Sequence, residues 1–146
     1  MPDIKKILCA IDFSDSSSIV AEYASTLARS MGAEVVVLYV APSLNQYVGF
    51  HVPPSSIENF VGSIVDGAEQ SMEKCIEDNF KNVNATGKVT TGYAAEEILT
   101  VATDSSADLI VMGTHGRKGI DRILFGSVAE KVVKSSTTPV FTVRPS

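Results

Sequence analysis

The chain lacks tryptophan altogether and carries only two cysteines and two histidines in 146 residues. Cys9 sits among apolar neighbours and Cys75 falls on the apolar stripe Met72, Cys75, Ile76 of a helical pattern, both in no CxxC or other ligand spacing, and His51 and His115 lie apart from both. That arrangement argues against structural zinc and for small buried thiols. No apolar run approaches the roughly 18–20 residues of a membrane span. The start, Met1-Pro-Asp-Ile-Lys-Lys6, has no signal-peptide pattern, so a cytoplasmic protein away from membranes is expected. Cations are also scarce: 12 Lys and Arg stand against 17 Asp and Glu, a net charge of −5. Binding nucleic acid through its phosphate backbone needs clustered Lys and Arg. No nucleic-acid partner is therefore expected, and any anionic ligand must be held at one local site.

What is present suits one compact domain over residues 1–146, since 45% of the chain is hydrophobic and its length is that of an ordinary domain. Ile4–Ile11 is a mostly apolar run that stops at Asp12, as a strand buried on both faces would. Phe13-Ser-Asp-Ser-Ser-Ser18 is rich in helix-capping residues, and Ile19, Tyr23, Leu27 and Met31 then recur at helical spacing up to Gly32, a natural C-cap. Val35–Val40 reads as a second strand. The proline-containing stretch 42–56 reads as a loop, and a long amphipathic helix runs from Ile57 to Phe80. A short, weak strand at Lys88–Thr91, a helix at Ala94–Thr103 and a strand at Asp108–Met112 follow. A glycine-containing loop over 113–126, a helix from Ser127 and a strand at Pro139–Val143 complete the chain.

Strands alternating with helices predict an α/β fold: a five-stranded parallel open sheet with helices on both faces. Ligands of such sheets bind beyond the carboxyl ends of the strands. The residues to inspect are thus Asp12, Val40–Ala41, Gly92 and Gly113.

One of these positions opens the most informative segment, Gly113-Thr-His-Gly116-Arg-Lys-Gly-Ile-Asp-Arg-Ile-Leu-Phe-Gly126-Ser127. Glycines directly after a strand allow positive φ and close approach of backbone to a ligand. Successive amides in such a loop form an anion-binding concavity, and the helix start at Ser127 favours negative charge. Arg117, Lys118 and Arg122 add local positive charge. A second reading needs no ligand: Ser127-Val-Ala-Glu130 spells a capping box, and glycines in long loops also serve turn geometry alone.

The spacing Gly113-x2-Gly116-x9-Gly126-Ser127 resembles the G-x2-G-x9-G-[ST] signature of the ATP-binding branch of the universal stress protein family. Ala107-Asp-Leu-Ile-Val-Met-Gly-Thr-His-Gly-Arg117, Pro139-Val140, Arg144 and the opening Asp12-Phe-Ser-Asp-Ser-Ser17 are similar too, so the likeness covers essentially the whole chain. It implies a Rossmann-type fold, like that of the adenine nucleotide alpha hydrolases, with ATP as ligand. By the same resemblance Gly113, Gly116, Gly126, Ser127 and Val128 hold phosphates, and Arg117 pairs with one or points to solvent. Asp12, at the end of Ala10-Ile11-Asp12, binds the ribose hydroxyls or caps the next helix as an Asx turn. Val40 meets the adenine and Met112 lines the base or ribose. Mg2+ or Mn2+ is implied through the phosphates, with no all-protein metal cage. The chain departs from the family at Ala10, where a proline often stands.

A kinase or ATPase needs a positioned nucleophile and charge neutralisation. The sequence has neither a G-x4-G-K-[ST] loop nor a kinase-type catalytic loop, and His115 has no visible carboxylate to orient it. No catalytic residue is assigned. The expected function is a nucleotide-dependent regulatory or stress-response module with slow or no hydrolysis. The alternative is a slow ATPase or autophosphorylating enzyme using the same site. A phospho-receiver fits poorly, because the third strand ends Thr91-Gly92 and the last ends Arg144-Pro145. A flavodoxin fits poorly too, since Ser14–Ser18 holds no glycine and no tryptophan is available to stack on a flavin. The family dimerises through its last strand, so a homodimer through Pro139–Val143 is implied, beside a regulatory protein partner the sequence does not name.

Overall fold

A computed structural model describes residues 2–41, 54–114 and 126–144, and no side chain of 54–58 or of 60. The elements run β1 (Lys6–Ile11), α1 (Ser17–Met31), β2 (Glu34–Ala41), α2 (Pro54–Asn79), β3 (Ala85–Thr91), α3 (Ala94–Asp104), β4 (Leu109–Gly113), α4 (Ser127–Ser135) and β5 (Val140–Val143). They form a five-stranded parallel sheet in the order β3-β2-β1-β4-β5. The expected fold class is the one found.

Alternation along the strands sorts the core into two layers, because successive side chains point to opposite faces. Ile7, Cys9 and Ile11 of β1 pack with Val35 and Val37 of β2, under Val20, Ala24 and Ala28 of α1 and Met72 of α2. Leu8, Ala10, Leu38, Ile110 and Met112 face the other way, under Ile98, Val101 and Ala102 of α3 and Ala129 and Val132 of α4. β1 pairs with β2 on one side and β4 on the other, and helices cover both of its faces, which is why its sequence is an unbroken apolar run. Asp108 fastens the amino end of the sheet: its Oδ2 accepts the amides of Lys5 at 2.9 Å and Lys6 at 3.0 Å.

Gly32 ends α1 in the left-handed conformation, φ 64, with its amide on the Ala28 carbonyl, as its position predicts. Two elements exceed their sequence-based bounds. β3 has seven residues where four are expected. Its periodicity is hidden because it is an edge strand with Thr86, Gly87 and Lys88 exposed. α2 begins at Pro54, so the last residues of the expected 42–56 loop are helical, a placement proline tolerates in a first turn. The rest of that loop lies outside the described residues, as do His51, His115, Gly116 and Arg117.

Candidate functional site

The carboxyl ends of β1, β2 and β4 open onto a cavity of about 470 Å³. Its place follows from topology. From β1 the chain crosses to β2 on one side, and β4 lies on the other, so the crossover helices diverge and leave a crevice at the switch. Ala10, Ile11 and Asp12 reach it from β1, Leu38, Tyr39 and Val40 from β2, and Met112, Gly113 and Thr114 from β4. α1 contributes Ser17 and Val20, α3 Ala94 and Ile98, and the start of α4 Gly126, Ser127, Val128 and Ala129.

Of the eleven residues singled out from sequence, the nine that are described all line this one cavity. Gly116 and Arg117 lie outside the described residues. Of the five residues expected at strand ends, Asp12, Val40 and Gly113 reach the cavity, while Ala41 and Gly92 do not. Instead the amide of Gly92 donates to the Ala41 carbonyl at 2.9 Å and turns the chain into α3. Sequence reasoning missed the other nine lining residues, among them Ser17, Leu38, Tyr39, Ala94, Ile98 and Thr114. Leu38 and Ile98 carry no signal beyond hydrophobicity, and only the packing of α3 over β2 brings them to the site.

The polar end of the site is built from loop and helix starts. Gly126 caps α4 with extended geometry, φ −64 and ψ 154, and donates its own amide to the Thr114 carbonyl at 2.7 Å. The first-turn amides of Ser127, Val128 and Ala129 have no intrahelical acceptor, as at any helix start, and these residues line the cavity. That gives the cavity a partial positive charge without a charged side chain. The capping box does not form: Ser127 is the first helical residue, no side chain caps α4, and Glu130 pairs with Lys134 at 2.8 Å. This hydrogen bond, with the lysine's charge, lowers the Glu130 carboxyl below its usual range and raises Lys134. Nor do glycines 113 and 126 use positive φ. Among the described glycines only Gly32 and Gly92 do, so the sequence-based reason survives only as space for close approach.

Asp12 closes the opposite end. Its Oδ1 accepts the Ser14 amide at 3.0 Å and the Ser17 hydroxyl at 3.0 Å. The first bond is an Asx turn within the loop; α1 starts at Ser17 with Ser16 at its N-cap and no side-chain cap bond, so Asp12 does not cap the helix. Phe13 sits between at φ 59, a conformation uncommon for a non-glycine residue, and its ring packs on Tyr39 with centroids 4.7 Å apart. The walls between the two ends are apolar: Leu38, Val40, Ile98 and Met112. Among the described residues no group of three or more His, Cys, Asp or Glu could hold a metal ion, and no helix is long and apolar enough to cross a membrane.

A model of the universal stress protein family matches residues 3–144. Universal stress protein MJ0531 of Methanocaldococcus jannaschii is 34% identical over 142 residues, covering 96% of this chain and 82% of its own length. The solved structure of MJ0577, from the same organism, superposes with a TM-score of 0.86 at 26% identity and covers 99% of both chains. A universal stress protein solved in complex with cAMP superposes with a TM-score of 0.75 at 19% identity, covering 99% of this chain and all of that one, a likeness of fold. With the family model spanning nearly every residue, the chain belongs to the universal stress protein family.

Proposed function

We propose that the protein is a nucleotide-dependent regulatory module of the stress response that holds ATP in the cavity above β1, β2 and β4, with slow or no hydrolysis. The observation that carries this reading is convergence. Nine residues drawn from β1, β2, β4 and α4 on sequence grounds line one crevice with an apolar middle and polar ends. Each part has matching chemistry. Leu38, Val40, Ile98 and Met112 suit a flat heteroaromatic base, and a cavity of about 470 Å³ is of ligand size. The Asp12 carboxylate suits a ribose diol. The first-turn amides of α4, with Gly113 and Gly126 letting backbone approach closely, suit phosphates. Gly116 and Arg117 would join them there, and Mg2+ or Mn2+ would be bound through the phosphates. The fold's likeness to a protein solved with cAMP supports an adenine nucleotide as the class.

The same reading makes the protein a cytoplasmic homodimer paired through β5, which lies on the sheet edge. Two measurements test the ligand. Mass spectrometry of small molecules released on denaturing freshly purified protein should find an adenine nucleotide. Mg-ATP at 1 mM should raise the melting temperature, because a ligand that binds only the native state stabilises it by mass action. No shift at all would remove the proposal.

A further inference from the structure

We infer that Ser17 is a positioning residue for the nucleotide site: it holds the Asp12 carboxylate in the orientation that reads the ribose diol. This rests on Asp12 being the ribose contact, as proposed above, and adds the residue that sets its geometry.

The serine-rich segment after β1 divides its work unevenly. The hydroxyls of Ser14 and Ser16 face each other at 3.0 Å, and that of Ser18 reaches the Asp15 carbonyl at 3.5 Å. Ser17 alone of the four turns its hydroxyl to Asp12, donating to Oδ1 at 3.0 Å, while the Asp12 amide approaches the same hydroxyl at 3.4 Å. It is also the only buried serine of the four, 7% exposed, and it lines the cavity beside Asp12.

An aspartate at a strand end has two free torsions, and a carboxylate that must meet two vicinal hydroxyls loses affinity if it samples others. Here Oδ1 takes two donors, the Ser14 amide from the loop and the Ser17 hydroxyl from α1. The amide fixes the side chain relative to its own turn. The hydroxyl ties it to α1, which packs on β1 through Val20, Ala21 and Ala24. The carboxylate is thus referenced to the helix as well as the loop. Left-handed Phe13 between them lets the chain turn sharply enough for residues 12 and 17 to meet.

The test compares ATP with 2′,3′-dideoxy-ATP, both with Mg2+, by calorimetry on the full chain. Wild type should favour ATP by tenfold or more. In Ser17→Ala, and in Ser17→Cys, which keeps the volume and gives up the strong donor, that preference should fall by about tenfold, the scale of one hydrogen bond to a charged group. In an Asp12→Ala background, adding Ser17→Ala should change neither affinity. A Ser17 that merely stabilises the loop would lower the melting temperature and leave the preference intact, which overturns the inference. Undiminished preference in both Ser17 variants, with ATP still bound, has the same meaning. Loss of all nucleotide binding in wild type would instead sink the underlying site, and the inference with it.

Discussion

The amide of Gly126 donates to the carbonyl of Thr114 at 2.7 Å, bringing the end of β4 and the start of α4 together across twelve positions of sequence. Because both residues also line the cavity, this bond sets where the free amides of α4 stand relative to β4. Gly126→Val keeps an allowed backbone, since φ is −64, but puts a branched side chain where close approach is needed. The expected result is a melting temperature within a few degrees of wild type and Mg-ATP affinity reduced tenfold or more by calorimetry.

Ser127 gives the converse prediction. A true capping serine costs about 1 kcal/mol on replacement by alanine. Ser127 is the first helical residue, and α4 has no side-chain cap. Ser127→Ala should therefore change unfolding free energy by less than about 0.5 kcal/mol, as for surface sites without such a feature. Urea titration of the ligand-free protein measures it.

Gly87, on edge strand β3, faces the buried Met72 of α2. A Cβ added there would overlap the Met72 Cγ and press on Ile76 Cδ1 at 3.1 Å. Gly87→Ala should destabilise the protein by about 1–3 kcal/mol despite the lower backbone entropy of alanine, as overpacking does. The Gly87→Ala, Met72→Ala double variant should lose less stability than the sum of the two single losses, which a double-mutant cycle reads directly.

The two thiols give a pH dependence. Burial pushes Cys9 far above the usual thiol range, with a smaller contribution from nearby Cys75. Burial also raises Cys75, while a hydrogen bond from Asn79 works against it and the charge of Asp78 adds to it. Unfolded thiols release their protons near about pH 8.5, and the folded ones keep theirs. The unfolded state then binds fewer protons, so these thiols lower stability as pH rises past that point and do nothing below it. The Cys9→Ala, Cys75→Ala variant should show a shallower loss between pH 8 and 10 in urea titrations. Disulfide reagents at pH 8 should label Cys9 only on unfolding.

β5 provides the oligomer test. The carbonyls of Pro139 and Val143 accept amides of Ile110 and Thr114, so by alternation the backbone of Val140 and Thr142 points away from β4, toward the open edge. Beside that edge Phe141 is exposed and its ring lies 6.0 Å from that of Tyr23. Wild type should scatter light as twice the chain mass at micromolar concentration. Thr142→Pro removes one outward donor and spares the ladder to β4, so it should give a folded monomer.

Strand and helix order was readable in the chain because each element announces its own period or run. β1 could be read as doubly buried from Ile7-Leu-Cys-Ala-Ile11 alone, and Gly32 as a stop from its place after the last apolar repeat. Edge strand β3 was only half legible, since exposed Thr86, Gly87 and Lys88 need not be apolar. The glycine spacing and Asp12 pointed to the strand ends, where the candidate cavity lies, and the family followed from the same residues.

What sequence could not decide was how single residues are used. Ser127 and Glu130 spell a cap that does not form, because Glu130 lies one turn before Lys134 and binds it instead. Asp12 and Ser17 carry no mutual signal in a run of serines, yet the turn at Phe13 brings them to 3.0 Å. Leu38 and Ile98 are ordinary core residues until α3 crosses β2 and makes them walls of a crevice. Local pattern determines which segments become strands and helices, since period and capping act over a few residues. Which side chains share a cavity depends on the crossing of elements far apart in the chain, and only the packed sheet, with its order reversing at β1, settles that.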